Sequence, residues 1–220
     1  MPAAPTPVLT THGVDERSLL IWRVPSGWTA ASTAILGGGL LDEPAWILNA
    51  SVADDYARMD PAVHLGEIAG EHGLDGEGVG LMTAVDVAEQ LTVDADGVTV
   101  TSTTGVTRPV LAGTAFAGAA TAEAPGAPPV GTINTVCWVP ATFESGARLN
   151  LLTTVAEAKA QALADAGVAG TGTASDAVVV MTHNSGQLEP FGGTASTWGA
   201  RLGRAVYGSI HGTLMGEGSS

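Results

Sequence analysis

Cysteine and basic residues are both scarce in this sequence. There is one cysteine, Cys137, which excludes an intrachain disulfide framework and a four-cysteine zinc site. Eight Lys and Arg residues stand against 22 Asp and Glu, for a formal net charge of −14. Electrostatic capture of nucleic acid or anionic lipid requires clustered Lys and Arg, so neither partner is expected. No uncharged apolar run reaches the roughly 18 residues of a membrane span. The longest mild stretch, 110–122, is mostly Ala, Gly and Thr. The N-terminus lacks the basic and then apolar pattern of a secretory leader, and a soluble cytoplasmic protein is expected. GxxxxGK[ST], GxSxG and HExxH are also missing. His12, His64, His72, His183 and His211 are scattered. None has a trustworthy ligand spacing, so no protein-bound metal is expected.

What is present is a chain of 220 residues with 45% apolar content and a mean hydropathy of +0.27. That excludes a disordered chain despite the charge. A chain this long buries roughly 70% of its unfolded surface and needs no staple. The 30 glycines are about twice the average share. Residues 1–14 are Pro/Ala/Thr-rich at the start and read as a flexible lead-in. Residues 15–215 read as one domain, and no fixed-period repeat divides them.

Short apolar runs at Ser18–Val24, Trp28–Ile35, Ala45–Val52, Val79–Val85 and Thr132–Val139 read as strands. Leu91–Val93 and Val98–Thr103 alternate apolar and polar residues around Asp96-Gly97, a strong hairpin signal. Ala177–Met181 is continuously apolar and reads as a central strand covered on both faces. A helix is predicted over Pro61–Glu71, with Asp60 as N-cap and Pro61 at its first position. Another is predicted over Thr154–Ala166, opened by a capping box at Thr154 and Glu157 and stopped by Gly167. A third closes the chain from Ser196 to about Thr213. Residues 122–130 form a Pro/Gly loop. The sum is α+β or α/β, a single domain with a central mixed sheet flanked by helices.

Three places can carry chemistry. Cys137 is the obvious nucleophile, but it lies in an apolar strand with no His or Lys close in sequence to lower its pKa. A buried, inert thiol is the expectation. Lys159 is the only lysine. At 100° per residue it lies about 40° from Val155, inside the apolar stripe of its helix, with Glu157 about 200° round. A lysine there must snorkel to the rim or meet an acid. The run Thr171-Gly172-Thr173-Ala174-Ser175-Asp176 leads into the central strand. Its hydroxyls, glycine and acid suit a substrate-contacting loop or an ordinary turn. Asn49 and Thr83 are polar breaks in apolar runs and need hydrogen-bond partners if buried.

Several segments occur together in a telling order: NASVADDY (49–56), GVGLMTAV (78–85), GTIN (131–134), EAK (157–159), GTASDAVVV (172–180) and FGGTASTWG (191–199). The ordered set resembles the adenosylcobinamide amidohydrolases of corrinoid salvage, CbiZ, over roughly residues 30–210. Ala156 stands where the family prefers Thr, Ser175 where it prefers Thr, and Ala50 where it usually has His.

The resemblance implies hydrolysis of the amide joining the corrin propionyl group to 1-amino-2-propanol, which turns adenosylcobinamide into adenosylcobyric acid. It implies no cofactor of the protein's own, because the cobalt corrinoid is the substrate. For that reaction Asp176 is the candidate acid/base or orienting carboxylate, and Lys159 its charge partner or the proton donor. Thr132, Thr173 and Ser175 are candidate nucleophiles or water-holders. Asn49, Thr83 and Asn134 are candidate amide-binding or oxyanion groups. Glu157 and Thr194 complete the expected substrate-binding set. Two other readings stay open: a corrinoid-binding protein without hydrolysis, and an amidohydrolase of another bulky amide. A homo-oligomer is compatible with either.

Overall fold

The computed structural model describes residues 2–113 and 131–216; the Pro/Gly loop expected at 122–130 lies outside them. In chain order the elements are β1 (Val8–His12), β2 (Arg17–Arg23), β3 (Trp28–Ser32), β4 (Gly39–Asp42), β5 (Trp46–Ser51), α1 (Pro61–Glu71), β6 (Gly78–Thr83), β7 (Leu91–Ala95), β8 (Val98–Thr104), β9 (Ile133–Val139), β10 (Thr142–Phe143), α2 (Ser145–Asp165), β11 (Ala177–His183), β12 (Leu188–Glu189) and α3 (Thr197–Leu214). The class is α+β, as expected. The strands, however, divide between two main sheets, ordered β1-β2-β5-β6 and β4-β3-β11-β9-β8-β7, with β10 and β12 as a small parallel pair.

Period-two alternation explains why two sheets stack. In β9, Ile133, Cys137 and Val139 point to α2 and α3, where they pack with Leu151, Val155, Leu202 and Val206. Val136 and Trp138 point the other way, toward Trp22, Ile47, Val79 and Leu81 of the smaller sheet. In β5 the alternation repeats: Ile47 faces the larger sheet, while Trp46, Leu48 and Ala50 pack against Leu65, Ile68 and Ala69 of α1. The result is four layers: α2/α3, six-stranded sheet, four-stranded sheet, α1. Each fully buried Leu, Ile or Val adds about 1.5–3 kcal/mol. β11 lies between β3 and β9, so the strand read as central is central and covered on both faces.

Three expectations are corrected. The lead-in is structured from Val8, because β1 pairs antiparallel with β2 from Val8↔Ile21 to His12↔Arg17. The second helix begins at Ser145 rather than Thr154, so Thr154 caps nothing. It is buried inside α2 and donates its hydroxyl to the Gly192 carbonyl at 2.9 Å. Asp60 does stand at the N-cap of α1, but its side chain makes no capping hydrogen bond. Its carboxylate instead receives Arg58 at 3.0 Å, and Arg58 also reaches Glu67 at 2.6 Å, which ties the loop to the helix. The other punctuation is as read. Asp96 and Gly97 have φ of 52° and 83°, the primed turn a tight hairpin needs. Ser196 accepts from Gly199 N at 3.1 Å as the cap of α3.

Cys137 is fully buried, and burial alone pushes its thiol well above the ordinary range. Cys137→Ala is therefore expected to keep most activity and to cost about 1 kcal/mol of stability. Chemical denaturation alongside a turnover assay checks this. A folded variant with no turnover would make the thiol essential.

Candidate active site

At one end the two sheets part. The C-terminal ends of β5 and β6 and the N-terminal ends of β9 and β11 meet around a cavity of about 500 Å³. Thr83, Thr132, Ser175 and Asp176 line it, together with apolar Ile35, Val52 and Leu81. Four of the expected site residues thus share one cavity, although they come from three separate segments of the chain.

Asp176 is the most heavily bonded side chain of the site. One oxygen accepts from Lys159 Nζ at 2.5 Å and from Thr173 N at 2.9 Å. The other accepts from Thr173 Oγ1 at 2.5 Å and from Ile133 N at 2.9 Å. The carboxylate therefore fastens the 171–176 loop both to α2 and to the first residue of β9. The side chains of Lys159 and Asp176 are only 14% and 9% exposed, so the lysine meets an acid rather than the rim. The longer α2 makes this contact natural, because Lys159 falls in its C-terminal half, over the end of the sheet where β11 begins. Gly172 completes the arrangement. A Cβ there would stand 2.4 Å from Asp176 Oδ2 and 2.7 Å from Lys159 Nζ, so the ion pair occupies space that only glycine leaves. Lys159 itself does not line the cavity.

Thr132 Oγ1 and Ser175 Oγ are 2.7 Å apart, a hydroxyl pair beside the carboxylate. Thr83 Oγ1 accepts from Val85 N at 3.0 Å. Asn49 and Asn134 lie deeper and do not line the cavity. Asn134 Nδ2 donates to Asn49 Oδ1 at 2.9 Å and to the Met82 carbonyl at 3.1 Å, while Asn49 Nδ2 reaches Thr103 Oγ1 at 3.2 Å. They form a polar bridge between the two sheets, directly beneath the cavity floor. Glu157 and Thr194 are not brought to this site. Glu157 is exposed on the outer side of α2. Thr194 lines a separate cavity of about 630 Å³ with Asn150 and Phe191, toward the opposite end of the larger sheet.

Sequence reasoning missed Tyr56 and His64. Tyr56 lines the cavity. Its hydroxyl is 3.1 Å from His64 Nδ1, and the two rings stack with centroids 5.6 Å apart. The His64 ring lies 6.4 Å from that of His12, whose Nε2 is 2.8 Å from the Ser51 carbonyl. Burial, reinforced by the Arg58 charge, holds His64 below its ordinary range. Tyr56 stands in the segment NASVADDY, but only the folded 52–60 loop shows that it meets a residue of α1. Among the described residues, no group of three or more His, Cys, Asp or Glu could hold a metal ion. No helix among them is long and apolar enough to cross a membrane.

These features define an α+β sandwich whose polar site lies in the mouth between its sheets, set up with hydroxyls, an ion pair and a phenol–imidazole pair. The chain belongs to the CbiZ family, adenosylcobinamide amidohydrolase, whose family model matches residues 5–218. It is 36% identical over 118 residues to a protein of Halobacterium salinarum named adenosylcobinamide amidohydrolase, a match covering 53% of this chain and 50% of that protein. The chain thus spans about half the length of that curated relative. Its backbone is also similar to the crystal structure of the PH0078 protein from Pyrococcus horikoshii OT3, at a TM-score of 0.42 and 11% identity, over 98% of this chain and 80% of that one.

Proposed function

We propose that the protein hydrolyses adenosylcobinamide at the amide between the corrin propionyl group and 1-amino-2-propanol, releasing adenosylcobyric acid for cobalamin assembly in the cytoplasm. The observation that carries this reading is the Asp176 network at the mouth of the cavity, on a chain of this family. Amide hydrolysis needs an attacking oxygen, donors for the oxyanion and a proton for the leaving amine. A carboxylate has about four lone-pair positions, and all four of Asp176's are engaged. Asp176 therefore serves as an orienting group rather than a base. It fixes Thr173 and the loop carrying Ser175, and Lys159 acts through it as a positioning residue. The Thr132–Ser175 hydroxyl pair is the part that meets the substrate, holding either the attacking oxygen or the carbonyl.

A cavity of about 500 Å³ takes the aminopropanol arm and leaves the corrin ring outside. An acidic chain does not repel a cationic corrinoid, and the neutral hydroxyls suit a substrate rich in carboxamides. The cobalt belongs to that substrate, and the protein needs no cofactor of its own. Turnover is therefore expected to survive exhaustive EDTA treatment. Loss restored by added zinc or manganese would contradict this. The reading as a whole is tested by incubating the purified protein with adenosylcobinamide and assaying 1-amino-2-propanol by mass spectrometry. Release supports hydrolysis, whereas tight binding without release supports a corrinoid-binding protein.

A further inference from the structure

The Asp176 network leaves one requirement of the reaction without a group to meet it. The departing nitrogen must gain a proton, yet Asp176 has no free position and Lys159 does not line the cavity. Two other ionisable side chains do line it, Asp54 and Tyr56. Asp54 is exposed and makes no hydrogen bond to a second titratable group. Tyr56 is bonded to His64 Nδ1. A phenol and an aliphatic amine have similar reference pKa values, about 10 for both, and burial raises that of Tyr56, so the phenol keeps its proton at neutral pH and has it to give to a departing amine.

We propose that Tyr56 is the proton donor to the leaving amine, with His64 holding its proton between the two halves of the reaction. This deepens the amidohydrolase reading and rests on it. In the first half, water oxygen bonds to the carbonyl carbon. A water proton passes to Tyr56 Oη as the Tyr56 proton passes to His64 Nδ1. In the second half, the imidazolium returns its proton to Tyr56 Oη, which gives its own to the amide nitrogen as the C–N bond breaks. One water is consumed, and one carboxylic acid and one amine are formed. His64 begins and ends neutral, with Nδ1 as acceptor and Nε2 carrying the proton.

Burial disfavours a positive charge on His64, and the charged groups around it divide. Glu67 and Asp60 favour it, while Arg58 and His12 oppose it. The imidazolium is therefore disfavoured at rest and forms only while Tyr56 holds the proton taken from water. His64 must be neutral to accept the proton. Activity therefore falls as the pH drops through its pKa, which lies below the usual value of 6.5.

Tyr56→Phe keeps the ring stack and removes the hydroxyl. His64→Gln keeps an acceptor for Tyr56 but cannot take the proton. Each is expected to lower kcat at least about 100-fold with KM within a few-fold of wild type, and His64→Gln should also abolish the acidic limb of the kcat/KM profile. Nitrogen-15 NMR of the wild-type imidazoles supplies a readout that needs no substrate. His64 Nδ1 should be unprotonated at neutral pH, and Tyr56→Phe should shift its resonance. An active wild type whose Tyr56→Phe variant turns over within a few-fold overturns the relay alone, as does a protonated Nδ1. Loss of activity in Asp54→Asn with near-normal Tyr56→Phe also overturns it and gives the proton to Asp54. A wild type that releases no aminopropanol overturns the hydrolase reading first, and the relay with it.

Discussion

Lys159→Met is expected to lower kcat/KM for adenosylcobinamide at least about 100-fold, nearly 3 kcal/mol of transition-state stabilisation, while the protein stays folded. Methionine keeps most of the apolar stem and removes the charge. Asp176 then retains three donors, from Thr173 N, Thr173 Oγ1 and Ile133 N, but loses the one that fixes its remaining direction. Small displacements of an orienting group cost this much in rate. Asp176→Asn should lower activity to the same degree and also destabilise the fold. Its amide would present donors to backbone donors and leave the lysine, 14% exposed, without its acid. Losing one partner of a buried pair typically costs about 3 kcal/mol or more. The double variant Lys159→Met/Asp176→Asn should be less destabilised than the sum of the singles, because the stranded charge is gone. Thermal melts and steady-state kinetics on the three variants check this. Near-normal turnover in folded Lys159→Met would reduce the pair to a structural staple.

Gly172→Ala is expected to be nearly as damaging, on the order of 10- to 100-fold in kcat/KM, although a single methyl is added and the backbone φ there is not in the left-handed range. The new Cβ would stand 2.4 Å from Asp176 Oδ2 and 2.7 Å from Lys159 Nζ. Asp176 Oδ2 accepts two hydrogen bonds and Lys159 Nζ donates one of them, so neither can move without breaking one. A misplacement of about 1 Å can cost 100-fold in rate, and the strained loop should lower the melting temperature as well. Gly167→Ala, at the stop of α2 with φ of 75°, is the control: it strains the backbone but approaches no atom of the ion pair. Comparable activity loss in both variants would show that the rigidity of the 167–176 loop matters, not the space at Gly172.

The sequence made legible those features that depend on local pattern. The Asp96-Gly97 hairpin, the apolar central strand and the Pro61 helix start all follow from neighbouring residues. The start of α2 did not, because Gly146, Asn150, Thr153 and Thr154 are weak helix formers, and Thr154 with Glu157 imitates a capping box. Tertiary bonding of Thr154 to Gly192 and burial of Ala147 and Leu151 override propensity there. The strand at Val8–His12 was hidden by the Pro/Ala/Thr-rich segment that leads into it, and it exists through its pairing with β2. The division into two stacked sheets is a long-range property that no local window contains.

The site divides along the same line. Lys159 and Asp176 could be paired by reasoning because a lone lysine on an apolar face must find an acid, and the loop leading to a central strand offered one. Asn49 and Thr83 were recognisable as polar breaks needing partners, but Asn134 was not recognisable as the partner of Asn49. Each strand's register decides which of its residues face the neighbouring sheet. Tyr56 and His64 escaped notice because their meeting depends on the path of the 52–60 loop, which Arg58 pins by its bonds to Asp60 and Glu67.

Hydrolysis is put to the test by incubating the purified chain with adenosylcobinamide in water enriched in oxygen-18 and following both products by mass spectrometry. Equimolar 1-amino-2-propanol and adenosylcobyric acid are expected, with one labelled oxygen in the new carboxyl group and at least about 100-fold slower release by Asp176→Asn. Recovery of intact adenosylcobinamide, bound but uncleaved, would contradict it.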